Sequence, residues 1–371
     1  MEHIRKLPAL MEGKKGFRLN MLIGIDGFVD EIIHVVDKRT GPGEYVRLAK
    51  MRDFGERIAK AAGLSTNIEM VSVLTKLGGN GPILTNALLE YGAKVTYVGA
   101  LGSPDIHPVF ARMVARTEKT HSLIGPGLSD AVEFDDGKVM FGKHQTLKGL
   151  TWELMKERLG GAAGIAEMLG GADLFGMVNW TMMPNMSAIW QGIVDEVFPL
   201  MKERREKPYA FFDLADPEKR TKEDILEAMR LIGGFGSRFR AILGLNEKEL
   251  YEIAEAVGAG KKPGLAETSM EVYRKLGVHC LVVHPVASAL CVVGGQLCET
   301  GGPYCEKPAL TTGAGDNFNA GFVLGMCLGL DPLSCLALGA ATSGYYVRNA
   351  KSPTYGQAMQ FLTDWAGGKY D

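Results

Sequence analysis

Short apolar runs alternate with stretches of helical spacing along most of the chain. The apolar runs, each of strand length, lie at 21–25, 68–74, 94–100, 173–180, 209–214, 240–245, 280–284 and 290–293. The helical stretches lie at 52–62, 83–91, 184–206, 221–232, 246–257, 266–277 and 318–328. Strands that alternate with helices of this length are typical of a mostly parallel sheet with helices on both faces. The pattern therefore predicts an α/β fold.

Two β-like segments fall outside this rhythm. One spans 28–48, and the other, 131–147, contains Asp136-Gly137 between alternating positions, which is a hairpin signal. Together they predict a small accessory sheet, either a lid over the strand ends or an ornament at the edge of the sheet. No linker rich in Pro or Ser and no internal repeat interrupts the chain, so residues 1–371 are predicted to form a single domain.

The charge balance narrows the class of partner. The 371 residues carry 41 Lys and Arg against 43 Asp and Glu, a formal charge of −2, with no long block of one sign. This balance argues against nucleic acid or a membrane surface as a partner. No apolar stretch approaches the roughly 20 residues of a membrane span, and the first residues lack the apolar core of a signal peptide. These features predict a cytoplasmic protein.

All six cysteines lie in the last quarter of the chain. Cys291, Cys298 and Cys305 recur every seven residues, a spacing that raises the question of a metal site. None of them forms a C-x2-C pair, and no His stands at ligand spacing beside them. Buried or unpaired thiols of a reducing compartment are the favoured interpretation.

The stretch TTGAGDNFNAGF, residues 311–322, joins a loop of small residues to the start of an apolar helix. Free backbone amides and the helix macrodipole make such a helix start an anion site, so phosphate is the expected guest. Asp316 stands at the lip of this site, where a carboxylate would repel a resting phosphate. Two roles fit it: a base that takes a proton from the group attacking phosphorus, or a simple cap of the helix.

Other polar candidates follow predicted strands. Asp26 and Asp30 lie at and beyond the end of the first strand, where ligands collect in parallel sheets. Gly78, Gly79 and Asn80 form a flexible turn before a helix. Ordinary turn formation accounts for both features equally well.

Asn246 and Glu249 stand at the start of a predicted helix, three residues apart and therefore on one helical face. Reciprocal helix capping is one explanation. The other is a Mg²⁺ site that acts through water, because magnesium keeps much of its hydration shell and needs few direct ligands.

Four of these motifs match one protein family in the expected order. TTGAGDNF strongly resembles the C-terminal signature of the ribokinase-like, or phosphofructokinase-B type, carbohydrate kinases, Asp-Thr-x-Gly-Ala-Gly-Asp-x-Phe. Asn246-x-x-Glu249 is similar to the N-x-x-E motif of the family, and Gly78-Gly79 to its N-terminal Gly-Gly signature. IDGFVDEI, from residue 25, resembles its sugar-binding first strand. The resemblance implies a three-layer α/β/α fold with a mostly parallel central sheet and a small β-sheet lid.

The resemblance also implies a reaction, the transfer of the γ-phosphoryl group of ATP to a sugar hydroxyl with Mg²⁺ as cofactor. By this resemblance Asp316 is the base, and the amides of three residues form an anion hole: Gly313, Ala314 and Gly315. The implied sugar contacts are Asp26, Asp30, Gly78, Gly79 and Asn80. The implied nucleotide contacts are Thr311, Asn246 and Asn349, and Asn246 with Glu249 would organise the water shell of Mg²⁺. A lid at 28–48 and 131–147 would exclude water and form a homodimer contact.

The sequence departs from the family pattern at several positions. Leu310 replaces the leading Asp of the signature, and HPVASALC at 284–291 lacks the glycines expected near the nucleotide. Ile83 stands where a sugar-contacting Asn is expected, so that Asn80 or Asn86 is the substitute. Two other functions therefore remain open beside a sugar kinase. One is a kinase for a nucleoside or vitamin-like alcohol, or one that uses ADP as donor, and the other is a non-catalytic sugar-binding protein.

Overall fold

The computed structural model describes residues 2–370 and contains a central nine-stranded sheet. Its strand order is β14-β13-β12-β11-β10-β9-β1-β5-β6, and every pair is parallel except β12 with β13 and β13 with β14. The strands of this sheet are β1 Asn20–Ile25, β5 Lys94–Gly99, β6 Lys119–Ser122, β9 Leu174–Met177, β10 Tyr209–Asp213, β11 Arg240–Leu245, β12 Cys280–Val283, β13 Ser288–Val293 and β14 Gln296–Gly301. The prediction of an α/β fold with a mostly parallel sheet is confirmed.

Helices cover both faces of the sheet. The helices of the described residues are α1 Glu2–Glu12, α2 Met51–Lys60, α3 Asn80–Glu90, α4 Ala111–Val114, α5 Trp152–Leu159, α6 Gly161–Gly170, α7 Met186–Gly192, α8 Lys222–Gly234, α9 Glu247–Ala256, α10 Leu265–Leu276, α11 Ala314–Cys327, α12 Pro332–Asn349 and α13 Tyr355–Ala366. Helix α2 does not pack on the central sheet, because its Phe54 belongs to a separate small core with Ile33 and Val132. The helix predicted at 184–206 is shorter in the structure, where α7 passes into a π-helical turn at Ile193–Val197 and a 3₁₀ turn at Phe198–Leu200. Pro199 has no N–H to continue the helical ladder beyond this point.

Successive side chains of β1 point to opposite faces of the sheet and therefore pack into two separate cores. Leu22 packs with residues of α5 to α10 on one face of the sheet. Met21 and Ile23 pack on the other face with residues of α1, α3, α4 and α11 to α13. Strands buried on both faces read as continuous apolar runs, as β1 does. The result is the three-layer arrangement that was predicted.

A second sheet of five strands lies outside the central one and is called here the accessory sheet. Its strands are β2 Phe28–Arg39, β3 Tyr45–Arg47, β4 Met70–Gly78, β7 Gly127–Phe134 and β8 Gly137–Lys143. Strand β2 pairs with β3, β4 and β7, and β7 forms the predicted hairpin with β8.

Strand β4 corrects one expectation. The sequence pattern predicts the apolar run at 68–74 as a strand of the central sheet, but in the structure β4 joins the accessory sheet. Most of its residues are exposed or half-buried, whereas a central parallel strand needs burial on both faces. The sequence pattern predicts no element before residue 21, whereas the structure has helix α1 there, with Ile4, Leu7 and Met11 buried in the core.

The topology brings the functional segments together at one edge. Parallel strands β1, β9, β10, β11 and β12 all end at the same side of the sheet. Helices α3, α9 and α11 begin at that side. Among residues 2–370, no helix combines the length and apolar character that crossing a membrane requires.

Candidate active site

Two buried carboxylates and two amides meet at the carboxyl edge of the sheet. Asp213 ends β10, and its Oδ2 accepts a hydrogen bond of 3.0 Å from Nδ2 of Asn319 on α11. Its Oδ1 lies 3.5 Å from Nδ2 of Asn80, in the turn that opens α3. Asp316 lies one helical turn before Asn319 and is also in hydrogen-bond contact with Asn80. The amides thus tie the strand edge to the starts of two helices.

Asp26 holds the glycine turn in place. Its carboxylate accepts from the backbone amides of Asn80 at 2.9 Å and Gly81 at 2.8 Å, and from Nδ2 of Asn179 at 2.7 Å. Burial raises the pKa of Asp26 to about 6, although these three donors favour the charged form. The side chain is fully buried. In this structure the Asp26 carboxylate thus contacts the glycine turn and Asn179, and the sugar contact that the resemblance implies stays a prediction.

Gly79 shows why this turn needs glycine. Its φ is +95°, and a Cβ there would lie 2.7 Å from Oδ2 of Asp26. Gly78 is equally constrained, because a Cβ would meet the carboxylate of Asp30 at 2.3 to 2.5 Å. Glycines at these positions let the two aspartates lie directly against the backbone.

The loop before α11 has the geometry of an anion site. Gly313 is the N-cap residue with φ of 92°, and no side chain caps the helix. The amide of Ala314 donates to the carbonyl oxygen of Thr311 at 3.0 Å, so it is occupied within the loop. Within residues 2–370, the backbone amides of Gly313 and Gly315 have no protein acceptor. Of the three amides that the resemblance assigns to an anion hole, those of Gly313 and Gly315 are therefore free of protein acceptors in the described part of the chain, and that of Ala314 is not.

Asp316 is not a helix cap in this structure. It occupies the third position of α11, where its buried side chain faces the other carboxylates. Burial raises the pKa of Asp316 well above its ordinary value, and the charges of Asp213, Asp26 and Glu249 raise it further. A carboxyl with a raised pKa beside free amides has the properties of a general base in phosphoryl transfer.

Asn246 and Glu249 form a reciprocal capping box. Oδ1 of Asn246 accepts from the amide of Glu249 at 2.9 Å, and Oε2 of Glu249 accepts from the amide of Asn246 at 2.8 Å. Oε1 of Glu249 accepts from the amide of Asp216 at 3.0 Å. The capping explanation thus describes their contacts, while the second lone pairs of these oxygens remain open to water.

The carboxylates here repel one another. Burial raises the pKa of Asp213 well above its ordinary value, and the charge of Glu249 is the next cause. Burial likewise raises the pKa of Glu249. In the part of the chain that the structure describes, no group of three or more His, Cys, Asp or Glu side chains is arranged to hold a metal directly. None of the six cysteines forms a disulfide, and Cys280, Cys291 and Cys335 are buried.

A cleft of 280 Å³ opens beside the anion loop. Its lining includes Thr311, Ala314 and Gly315 of the loop, together with the segment after β12 and one side of α12. His284 projects from that segment, its ring centroid 5.0 Å from that of Phe318. Its Nε2 is buried and has no protein partner within residues 2–370. Burial lowers the pKa of His284 to about 4, so the ring is neutral near pH 7.

Asn349 does not belong to this cleft, contrary to the role that the resemblance implied. Its Nδ2 donates to the carbonyl oxygen of Tyr345 at 2.8 Å, and the side chain is exposed at the end of α12. Ala340, Ser343, Gly344 and Val347 are the α12 residues that line the cleft. Asn349 is two residues beyond Val347, which places it about 200° around the helix.

The accessory sheet supplies a third side of the site. Asp30 is buried, and burial raises its pKa while the nearby cations Lys76 and Lys138 oppose the shift. Nζ of Lys138 donates to Oγ1 of Thr312, the residue before Gly313. The hydroxyl of Tyr346 donates to the carbonyl oxygen of the same threonine at 2.8 Å.

The residues at which the sequence departs from the family pattern lie in two different places in the structure. Asn80 stands at the carboxylates, whereas Asn86 lines a separate hollow of 460 Å³ together with Ile83 and Leu310. Asn80 is therefore the amide placed at the site. Leu310 lines that hollow, and its amide donates to the carbonyl oxygen of Val347 at 3.3 Å.

Sequence reasoning missed Asp213, Asn319 and Asn179. Asp213 closes a predicted strand at the same edge as Asp26, so the strand-end argument already applied to it. Asn319 follows Asp316 by three residues and shares its helical face. Asn179 has a φ of 66°, an unusual conformation that only coordinates reveal.

Comparison with known proteins places this site in context. A family model described as prokaryotic ketohexokinase matches residues 2–365. The ketohexokinase of Haloferax volcanii is 28% identical over 361 residues, which are 97% of this chain and 93% of that protein. A fructokinase from Xylella fastidiosa with bound ATP superposes with a TM-score of 0.65 at 13% identity, covering 94% of this chain and 99% of that one. Arabidopsis thaliana ribokinase, complexed with ribose and ATP, superposes with a TM-score of 0.63 at 15% identity, covering 93% and 98%. At these identities the two structures establish the fold alone.

Proposed function

The chain belongs to the prokaryotic ketohexokinase family and is an ATP-dependent carbohydrate kinase, and from this premise we propose that its acceptor is a ketohexose. The observation that carries the proposed mechanism is the position of Asp316, buried beside the free amides of Gly313 and Gly315. A base and an anion hole at one helix start meet the two needs of phosphoryl transfer, removal of a proton and stabilisation of charge.

In the proposed reaction the γ-phosphoryl group of ATP passes to the sugar, with Asp316 as the base. The sugar hydroxyl oxygen bonds to the γ-phosphorus, the bond from that phosphorus to the bridging oxygen breaks, and ADP leaves with the electron pair. The hydroxyl proton passes to the Asp316 carboxylate. The amides of Gly313 and Gly315 stabilise the charge on the transferred group. The raised pKa of Asp316 supports this role, because a stronger base takes the proton more readily.

Magnesium fits the residues present. Asp213 and Glu249 concentrate negative charge at the loop, and the charge of Glu249 contributes to the raised pKa of Asp213. Asn246 and Glu249 retain lone pairs for water ligands after capping α9. When bound with ATP, Mg²⁺ would neutralise charge on the phosphates. Hard oxygen donors of this kind suit that ion.

We propose that Asp30 and Asn80 bind the sugar. Asp30 lies on the accessory sheet and Asn80 on the glycine turn, so that the acceptor would lie between sheet edge and accessory sheet. A carboxylate can accept two hydroxyl hydrogen bonds from neighbouring carbons of a sugar. The accessory sheet would act as a lid that excludes water, a competing acceptor for the phosphoryl group.

ATP is proposed to occupy the 280 Å³ cleft, with its phosphates at the loop. The unpartnered Nε2 of His284 supports this proposal, because a buried polar atom normally has a hydrogen-bond partner. The segment after β12 lacks glycine, and His284 occupies its first position. We assign to His284 the contact with the nucleotide that this segment provides.

Assembly and location complete the proposal. The accessory sheet leaves large apolar side chains exposed, which supports a homodimer through the lid. These side chains are Val46, Leu74, Leu128, Met140 and Phe141. The six free thiols support a reducing compartment, and we propose the cytoplasm, where ATP is also available.

A panel of acceptors and donors tests the proposed substrate. The purified protein is incubated with Mg²⁺, with ATP or ADP, and with ketohexoses, aldohexoses, pentoses or nucleosides in turn, and the products are weighed by mass spectrometry. We expect a ketohexose with ATP to give the highest kcat/KM. A preference for an aldose or a nucleoside, or binding of sugar without transfer, would rule the ketohexose proposal out.

A further inference from the structure

Alternation along the accessory sheet separates its lysines into two classes. Asp30 pairs with Lys76 on β4 and with Ser129 on β7, and Glu133 of β7 pairs with Lys138 on β8. Because side chains at paired positions share a face and successive residues alternate, these five residues project from one face. That face meets the anion loop, since Lys138 reaches Thr312.

The opposite face of the accessory sheet carries a small apolar core. This core is formed by Ile33, Val35, Leu48, Phe54, Val132 and Phe134. Lys143 pairs in register with Leu128 and therefore also points to this second face. There its Nζ forms an ion pair with Asp130 at 2.9 Å. Two lysines of the same short strand thus face in opposite directions, one toward the loop and one away from it.

Charge near the loop is strongly unbalanced. Asp26, Asp213, Glu249 and Asp316 are buried there, and the causes that raise the pKa of Asp316 include the other three carboxylates. Lys76 and Lys138 are the cations that act on Asp30 across the accessory sheet. Of these two, Lys138 contacts the loop itself. A phosphoryl group that arrives at Gly313 and Gly315 brings further negative charge to this region.

We propose that Lys138 is a catalytic residue carried by the accessory sheet, whose ammonium group moves from the Thr312 hydroxyl to the phosphoryl group in transit. The inference rests on the proposed function and deepens it. Lys138 keeps its proton throughout, while the acceptor proton goes to Asp316 and the electron pair of the broken P–O bond leaves with ADP. Closure of the accessory sheet over the sugar would thereby complete the anion hole.

This arrangement couples the binding of the sugar to the transfer of the phosphoryl group. Asp30, on the same face of the sheet, is the proposed sugar ligand, so that a sugar held by Asp30 also fixes the position of Lys138. Without the sugar, the ammonium group would stay on the Thr312 hydroxyl, so the phosphoryl group would lack this positive charge and water would be a poorer acceptor. A positive charge supplied only in the closed state acts as a preorganised electrostatic catalyst.

The test compares Lys138→Ala with Lys143→Ala, two truncations of the same side chain on one strand. We expect Lys138→Ala to lower kcat about 100-fold, the typical loss for one donor to the transition state, with little change in the KM for the sugar. Lys143→Ala should stay within about twofold of the parent, because exposed ion pairs contribute little. Melting temperatures of the variants confirm that they fold.

Two further measurements identify the role of the ammonium group. Ethylammonium chloride should restore part of the rate of Lys138→Ala without raising that of Lys143→Ala, and Lys138→Arg should retain more activity than Lys138→Ala. Equal kcat values for the two alanine variants would overturn the inference, as would a loss that neither ethylammonium nor arginine relieves. If the parent protein phosphorylates no ketohexose, the proposed function itself fails, and this outcome is distinct from either.

Discussion

Asn319 on α11 donates to the Asp213 carboxylate at the end of β10, with 3.0 Å between Nδ2 and Oδ2. This contact fixes the helix that carries Asp316 against the sheet edge at a buried carboxylate. Because the charge of Asp213 raises the pKa of Asp316, the arrangement stores electrostatic repulsion near the proposed base. Stability and activity should therefore respond in opposite ways when Asp213 is neutralised.

Replacing Asp213 by Asn should raise the melting temperature of the ligand-free protein at pH 8. The folded state raises the pKa of Asp213 through burial, so the stability of the fold decreases as pH rises through that pKa. Asparagine removes this loss, and its amide oxygen can still accept from Asn319. The gain should be a few degrees, at roughly 2–4 °C for each kcal/mol, and should vanish near pH 4, where the aspartate is protonated.

Asp364→Asn is the control for this measurement. The hydrogen bond from Lys369 lowers the pKa of the half-buried Asp364, which is the opposite direction to that of Asp213. Its melting temperature should stay within about 1 °C of the parent, because exposed ion pairs contribute little. A melting temperature of Asp213→Asn that does not exceed the parent value at pH 8 would contradict the assigned repulsion.

Gly79→Ala should weaken sugar binding and destabilise the fold. Gly79 has φ of +95°, and a Cβ would lie 2.7 Å from Oδ2 of Asp26. Gly92 has φ of +91° but no atom within 4 Å of a Cβ, so Gly92→Ala carries the backbone strain without the clash. Each substitution should cost about 1–3 kcal/mol in backbone strain. The additional loss in Gly79→Ala, seen in urea unfolding and in the KM for sugar, measures the contact with Asp26.

His284→Leu should raise the KM for ATP about tenfold while kcat and the KM for sugar change little. Loss of one hydrogen bond of roughly 1.4 kcal/mol corresponds to that factor. His279→Leu is the matched control, because His279 packs beside Tyr209 and is not among the residues of the cleft. An unchanged KM for ATP in His284→Leu would remove His284 from the nucleotide site.

Local patterns predicted some of these features and not others. The anion loop and Asp316 lie in one continuous stretch, and their chemistry follows from local helix geometry, so the sequence was sufficient to predict them. Asp213 with Asn319 is a pair that only tertiary structure joins, across 106 positions. No local pattern shows which side chain will complete such a pair.

Two predictions from the sequence differ from the structure, each for a physical reason. Strand β4 has the composition of a strand, but composition does not say which sheet a strand joins. Asn349 lies in the correct helix, yet the turn of that helix directs its side chain away from the cleft. In both cases the element was predicted correctly and its orientation was not.

Turnover by Asp316→Asn tests the central claim most directly. Asparagine keeps the size of the side chain but cannot accept the hydroxyl proton, so kcat with a ketohexose should fall by a factor on the order of 100 to 10,000. ATP binding, measured by isothermal titration, should be unchanged within about twofold, because the amides of Gly313 and Gly315 remain in place. A variant that binds ATP and phosphorylates the sugar as fast as the parent would show that Asp316 is not the base.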